Sequence, residues 1–174
     1  MGAAVTIRAA TGEDVEAILR LADDRRRLYA TYQPVFWRAA DDAIARHRPH
    51  LSALVADETV ITPVAVADQA VAGFAIGRLV PAPPVYDPGG VSCFVDDFAV
   101  ADPADWLTVG VDLLRAVCRG ARKQGAAQIV VVTGQLDEPK RAALAAGGLS
   151  VASEWWVAEL DGSDPPTQQV PADP

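Results

Sequence analysis

Two β-rich runs separated by one amphipathic helix constrain the fold more than any other feature of this sequence. Residues 91–100 form the first run and residues 128–133 the second, with apolar side chains at helical spacing between them. A strand, a helix and a second strand form a crossover unit whose two strands run parallel. Just upstream, residues 64–67 and 71–80 flank a short polar link, which favours an antiparallel hairpin. The chain is therefore predicted to build a mixed sheet.

Start and stop signals bound the first two helices. Residues 5–9 alternate as a first strand, and Thr11 begins a helix that ends before Pro34. A second helix is predicted over residues 38–48, ended by Pro49. Residues 51–56, which follow it, are open between helix and strand.

The second half of the chain is marked in the same way. Asp102-Pro103-Ala104-Asp105 opens the helix of the crossover unit, which ends near Gly125. A short helix is predicted over residues 138–146, closed by two glycines, and a last strand over residues 150–160. The residues 128–133 are expected to be covered on both faces of the sheet, because the run is continuously apolar.

The predicted order is β-α-α-β-β-β-α-β-α-β. It describes an α/β fold with a mixed, mostly antiparallel sheet and helices on both faces. Residues 1–160 are predicted to form one domain. Residues 161–174 are rich in Pro, Asp and Gln and are predicted to be a disordered tail.

Charge and cysteine content narrow the class of partner. The chain has 15 basic and 23 acidic residues and a net charge of −8, which argues against a nucleic-acid partner and suits a cationic ligand such as an amine. The two cysteines, Cys93 and Cys118, lie in apolar stretches and are predicted to be free thiols of a cytoplasmic protein. No run is apolar enough to predict a membrane span, and no cluster of ligands predicts a metal site.

The order and its landmarks together resemble the GNAT superfamily of acyl-CoA-dependent N-acetyltransferases over about residues 5–160. The hairpin, with Gly73-Phe74 past its turn, resembles the second and third strands of that family. Asp97-Phe98-Ala99-Val100 resembles the end of its fourth strand. Gly110, three residues before Leu113-Leu114, resembles the start of its main helix, and residues 143–149 resemble its C-terminal helix end and turn.

The resemblance implies acetyl-CoA as the cofactor, bound in a gap between the fourth and fifth strands. It implies that the pantetheine arm pairs with the backbone of Phe98, Ala99 and Val100. It also implies that the pyrophosphate faces the first turn of the main helix, since free amides there favour an anion. The residues of that turn are Thr108, Val109, Gly110 and Val111.

The phosphate-binding signature of the family is only partly present. It begins with Arg or Gln, followed after two residues by Gly and after one more by Gly or Ala. Here Asp105 occupies the position of the Arg or Gln, and Thr108 occupies the position of the first Gly. Only Gly110 matches the signature. A carboxylate at this position repels the negative charge of a pyrophosphate. Leu144 stands where many relatives have a tyrosine that acts as general acid, and it cannot donate a proton.

The adjacent carboxylates Asp96 and Asp97 are the candidate general bases for an attacking amine. Neighbouring strand residues point to opposite faces unless a bulge intervenes, so one of the two is expected to face the cleft. Two close carboxylates are also expected to raise the pKa of one. The alternative is that one Asp caps a bulge and the other is solvated. His47 and His50 are weaker candidates beside the same cleft.

Aromatic residues are the candidates for the acceptor site. Tyr29, Tyr32 and Trp37 are predicted either to line an acceptor pocket, with Phe36, or to pack between the first two helices. Trp155 and Trp156 are expected on opposite faces of the last strand, where the outward one marks a dimer surface or a ligand wall. The cluster Arg25-Arg26-Arg27 is interpreted as a solvated helix face.

Three functions remain open from the sequence. The first is an N-acetyltransferase that moves an acetyl group from acetyl-CoA to a small-molecule or peptide amine. The second is a catalytically inactive GNAT-fold module for binding or dimerisation, with a homodimer as one form. The third is an unrelated α/β binding domain. The sequence does not predict which amine is the acceptor.

Overall fold

The structure is a computed structural model that describes residues 4–160. The predicted disordered tail, residues 161–174, lies outside the described residues. The helices and strands follow in the order β1 Thr6–Ala9, α1 Val15–Tyr32, α2 Ala43–Ala56, β2 Pro63–Ala67, β3 Ala70–Val80, β4 Val91–Val100, α3 Val109–Lys123, β5 Ala126–Val131 and α4 Glu138–Ala146.

The strands form one sheet in the order β1-β2-β3-β4-β5. Each neighbouring pair is antiparallel except β4 and β5, which are parallel. The turn between β2 and β3 consists of Asp68 and Gln69, whose φ angles are 48° and 65°. Positive φ at both central residues is the mark of the tight hairpin turn that matches strand twist. The predicted mixed, mostly antiparallel α/β sheet is confirmed.

Helices cover both faces of the sheet. Neighbouring residues of a strand point to opposite faces, and each face carries its own buried cluster. Phe74 and Ala99 belong to the buried cluster under α1 and α2, whereas Ala75 and Phe98 belong to the cluster under α3 and α4. The two clusters place the sheet between two helical layers, as the sequence predicted.

The second helix differs from its prediction. It begins at Ala43 instead of residue 38, runs through Pro49 instead of ending there, and includes residues 51–56. Leu51 is fully buried, and Leu54 and Val55 pack against the same cluster beneath α1. A fully buried leucine stabilises by about 2 kcal/mol, and the partly buried Leu54 and Val55 add to it, so the packing as a whole is comparable with the roughly 3 kcal/mol that an internal proline costs.

The helix of the crossover unit is divided where the sequence predicted one continuous helix. Pro103–Leu107 forms a separate 3-10 helix, and α3 begins only at Val109. Between them Thr108 has φ −112° and ψ −81°, outside the helical region. The Asp-Pro opening therefore starts the short helix, and α3 has its own N-terminus.

The last predicted strand is absent from the described part of the chain. Residues 151–160 have no regular structure and every one of them is exposed. Trp155 and Trp156 are 76% and 90% exposed, so the expectation that they occupy opposite faces of a strand is wrong. The expectation that β5 is covered on both faces is also wrong, since three of its six residues, Ala127, Gln128 and Val130, are exposed.

Candidate functional site

A gap opens between the parallel strands β4 and β5. The strands pair from Val91 to Val95, and the last backbone bond joins the Val132 N–H to the Val95 carbonyl at 2.9 Å. Beyond Val95, β4 continues to Val100 beside β3, and no strand within residues 4–160 pairs with its other side. The two strands therefore splay apart as the resemblance implied.

A bulge sits at the start of this splayed stretch. Between Ala75 and Gly77 of β3 the chain advances two residues, while the partners on β4 advance three, from Phe98 back to Val95. The extra residue lies at Asp96–Asp97, and it changes which face the following side chains take. The backbone of Phe98 and Val100 then faces the gap, since the Ala101 N–H bonds the Ala72 carbonyl on the β3 side.

Lys140 of α4 fills the head of the gap. Its Nζ donates to the carbonyl oxygens of Phe98 and Val132, both at 3.1 Å, and the side chain is completely buried. Phe98 belongs to β4 and Val132 directly follows β5, so Lys140 bridges the two chain segments just beyond the last backbone hydrogen bond between them. A buried carbonyl without a donor is costly, and Lys140 supplies the missing donors.

Three aromatic rings surround the Lys140 amine. Its Nζ lies 5.2 Å from the ring centre of Phe98, 5.5 Å from Trp106 and 6.0 Å from Tyr29, within range of cation–π attraction. Burial lowers the pKa of Lys140 well below its ordinary value, and the positive charge of Arg25 acts in the same direction. The gap is thus lined by aromatic faces and filled by an amine of this chain.

Tyr29 reaches the gap from the opposite helical layer. Its hydroxyl donates to Asp137 Oδ2 at 2.8 Å, and Asp137 Oδ1 accepts the backbone N–H of Lys140 at 3.3 Å. Burial raises the pKa of Tyr29 to about 12. Tyr29 is 1% exposed and therefore belongs to the interior around Lys140. Tyr32 and Trp37 pack on its ring, with ring centres 5.6 Å and 5.0 Å away.

Asp97 is the centre of a charged cluster on the α1 and α2 side of the sheet. Arg25 Nη2 donates to Asp97 Oδ1 at 2.9 Å, and His47 Nε2 lies 3.4 Å from Asp97 Oδ2. Arg26 Nη2 lies 2.9 Å from His47 Nδ1. An arginine can only donate, so Nδ1 accepts and the proton of a neutral His47 is on Nε2, facing Asp97.

The cluster holds Asp97 as a carboxylate. Burial alone would raise the pKa of Asp97, but the hydrogen bond from His47 and the charge of Arg25 outweigh it, so the pKa is lowered. The direction is opposite to the rise expected from the sequence, because cations rather than Asp96 surround the group. Asp96 is exposed, and only its carbonyl contacts Arg25. The interpretation of residues 25–27 as a solvated face is therefore wrong for Arg25.

The N-terminus of α3 keeps its first amides uncapped. Asp102 Oδ1 accepts the Ala104 N–H at 2.9 Å, so Asp102 caps the 3-10 helix. Thr108 makes no side-chain cap on α3. The residues predicted to face a pyrophosphate thus lie at a helix start that no carboxylate caps, although Asp105 is close by in the chain.

The packing of Trp106, rather than a ligand, explains the glycine at position 110. A Cβ at Gly110 would lie 2.5 Å from Cε3 of Trp106, so the indole needs this position to be glycine. Trp106 is 6% exposed and packs edge-on against Phe98, with ring centres 4.8 Å apart. The 3-10 helix therefore places an indole between the start of α3 and the gap.

The sequence reasoning missed the roles of Lys140, Arg25 and Asp137. A signal for Lys140 was present: it shares one helical face with Ala143 and Leu144, both buried, and it is one of only two lysines in the chain. No pattern marked Arg25, because its partner Asp97 lies 72 residues away. Asp137 directly precedes α4, where an aspartate signals no more than a helix N-cap.

Other predicted features lie apart from the gap. Cys93 is buried and Cys118 half-buried, both as free thiols, and burial raises the pKa of Cys93 to about 11. His50 is exposed and stacks on His47, with ring centres 6.2 Å apart. Within residues 4–160, no cluster of His, Cys, Asp and Glu could hold a metal ion. Among the described helices, none has the length and apolarity needed to cross a bilayer.

Known structures share this architecture. No protein-family model matches the chain, and no curated protein sequence matches it. A Bacillus halodurans protein, solved as a mutant, is similar with a TM-score of 0.77 and 16% identity, over 89% of this chain and 99% of its own.

Two further structures are of acetyltransferases. A predicted acetyltransferase from Clostridium acetobutylicum, solved with acetyl-CoA, has a TM-score of 0.70 and 13% identity over 90% of this chain and 97% of its own. An aminoglycoside N-acetyltransferase in complex with CoA has a TM-score of 0.66 and 16% identity over 92% and 97%. The chain therefore has the fold of the GNAT-type acetyltransferases.

Proposed function

We propose that the protein is an acyl-CoA-dependent N-acyltransferase that moves an acetyl group from acetyl-CoA to an amine. The observation that carries the proposal is the splay of β4 from β5 directly upstream of the uncapped start of α3. A gap with free backbone groups suits a thin, amide-containing arm, and the helix start suits its phosphates. The structures solved with acetyl-CoA and CoA support the same cofactor.

The residues that would hold acetyl-CoA follow from this geometry. The backbone of Phe98, Ala99 and Val100 would hold the arm, with the groups of Phe98 and Val100 facing the gap. The amides of Val109, Gly110 and Val111 would face the pyrophosphate. The amide of Thr108, which the sequence also predicted there, already donates to the Asp105 carbonyl at 3.1 Å. Acetyl-CoA supplies an activated thioester. Lys140 has to release the Phe98 carbonyl first, because that oxygen is already bonded.

Asp97 is the residue we assign to the proton of the attacking amine. It is ionised, held by Arg25 and His47, and located at the bulge next to the gap. Its lowered pKa makes it a weak base, and we assign it the final acceptance of that proton through water. Asp96 is the exposed alternative. Tyr32 and Trp37, both half-buried, would line the approach beside the fully buried Tyr29.

The net charge of −8 suits a cationic acceptor, either a small amine or a peptide amine. We extend the proposal to a cytoplasmic location on the basis of the two free cysteines.

A second candidate function is a non-catalytic binding module with the same fold. It is favoured by Lys140 and Trp106, which fill the gap, and by Asp105, whose carboxylate opposes a pyrophosphate.

Calorimetric titration with acetyl-CoA separates the two candidates. Asp105→Arg should bind acetyl-CoA about tenfold more tightly than the wild type, because it replaces a repulsive charge by an attractive one. Glu58→Arg, the same charge change at an exposed site after α2, is the matched control and should leave binding unchanged. Weaker binding by Asp105→Arg would refute the placement of the pyrophosphate. Absence of binding by every variant would refute the acetyltransferase proposal and leave the non-catalytic candidate.

A further inference from the structure

Lys140 carries a nucleophilic group that the proposed reaction leaves unused. It is one of only two lysines in the chain, and its side chain is completely buried at the head of the gap. Nζ donates to the carbonyls of Phe98 and Val132, at 3.1 Å each. An ammonium has three N–H groups to satisfy, whereas a neutral amine has two and a lone pair. The two bonds therefore match a neutral amine and leave its lone pair free.

The surroundings of Lys140 favour this neutral form. Burial is the largest influence on its pKa and lowers it well below the usual value, and the charge of Arg25 on α1 acts in the same direction. Asp137 before α4 and Asp96 and Asp97 of β4 raise the pKa, and the three aromatic rings around Nζ attract a cation, but burial outweighs the carboxylates. A lysine kept neutral in this way is an activated nucleophile.

The proposed position of acetyl-CoA brings its thioester to this amine. The pyrophosphate would face the start of α3, which follows the far end of β4, so the arm would run back along β4 from Val100 to Phe98. The thioester is the end of the arm and would lie at the head of the gap. When the arm takes the Phe98 carbonyl, Nζ keeps its bond to Val132 and stays beside the arm. The Phe98 N–H lies on the same edge of β4 and can donate to the thioester oxygen.

We propose that Lys140 is a self-acetylation site, at which Nζ takes the acetyl group of acetyl-CoA bound in the same chain. The inference rests on the proposed function, because it uses the same gap and the same acetyl donor. Nζ attacks the thioester carbonyl carbon, a C–N bond forms and the C–S bond breaks. The amine proton passes to the CoA thiolate, so the products are an acetylated Lys140 and CoA thiol. The amide is stable and stays in the gap, so each chain reacts once.

Mass spectrometry of the full chain, incubated with acetyl-CoA and no acceptor amine, tests the proposal. The intact mass should reach that of one acetyl group per chain, and peptide mapping should place this group on Lys140. Lys123 is exposed at the end of α3 and should be modified about tenfold more slowly or less, because it has no thioester held beside it. In urea the two lysines should react at similar rates. The rate per folded chain should not change with protein concentration, because the step is intramolecular.

Two variants and a binding measurement complete the test. Lys140→Met should take up no acetyl group, and its matched control Lys123→Met should take up one, on Lys140; thermal unfolding verifies that both are folded. If calorimetry shows that acetyl-CoA binds while Lys140 of the wild type stays unmodified, self-acetylation is refuted and the proposed function stands. If acetyl-CoA neither binds nor modifies any variant, both are refuted. Equal modification of Lys123 and Lys140 in the folded chain would also overturn the inference.

Discussion

The bridge that Lys140 builds between β4 and β5 leads to a prediction about acetyl-CoA affinity. Nζ makes two hydrogen bonds of 3.1 Å, to Phe98 and Val132, and the Phe98 carbonyl is one that the pantetheine arm would need. At about 1 kcal/mol each, breaking both bonds costs about 2 kcal/mol, or a factor of about 30 in Kd. Lys140→Met keeps the length and removes the donors, so we expect it to bind acetyl-CoA about 30-fold more tightly by calorimetry.

Lys123 provides the control for this experiment. It is the other lysine of the chain and lies exposed at the end of α3, so Lys123→Met should bind like the wild type. Thermal unfolding would show that both variants are folded. If Lys140→Met binds acetyl-CoA no more tightly than Lys123→Met, Lys140 does not compete with the cofactor, and the reasoning about the gap is refuted.

Three further predictions concern stability. Burial lowers the pKa of Lys140 below 10.5, so at this residue the unfolded chain binds more protons than the folded chain. The free energy of unfolding of the wild type should therefore increase relative to that of Lys140→Met as the pH rises from about 7 to about 9. Chemical denaturation at several pH values would contradict this if the two proteins showed the same pH dependence. The hydrogen bond from Arg8 lowers the pKa of Asp14 to about 2. The free energy of unfolding of Asp14→Ala should therefore be about 1–2 kcal/mol below that of the wild type at neutral pH, and this difference should vanish once the pH falls below about 2. Urea titrations at several pH values measure the difference. Gly110→Ala would press on Trp106 and should cost about 1–3 kcal/mol with a change in tryptophan fluorescence; an unchanged midpoint of unfolding would rule out that contact.

Elements with strong local signals were predicted closely. β4 spans Val91–Val100 and α4 spans Glu138–Ala146, both as the sequence indicated. Apolar runs and end signals such as Pro and Gly act within a few residues, so they can be read along the chain. Pro49 shows the limit of this approach, because the burial of Leu51 two residues later decided that the helix continues.

The sequence predicted the backbone arrangement of the candidate site but not the contacts that its side chains make. The splay beyond Val95 agrees with the gap that the resemblance implied. The groups that fill and surround it come from remote segments: Tyr29 bonds Asp137 across 108 residues, and Lys140 bonds Phe98 across 42. Sequence spacing carries no record of such contacts.

The amino-acid sequence by itself determined the order of strands and helices from β1 to α4, the hairpin, the crossover and the excess of negative charge, since each follows from local pattern or composition. Only the tertiary structure decided that Asp97 is held by Arg25 and His47, that a buried lysine occupies the gap, and that the last ten described residues leave β5 open. These features depend on which segments meet in space, and burial and electrostatics act at a range of a few ångströms whatever the distance along the chain.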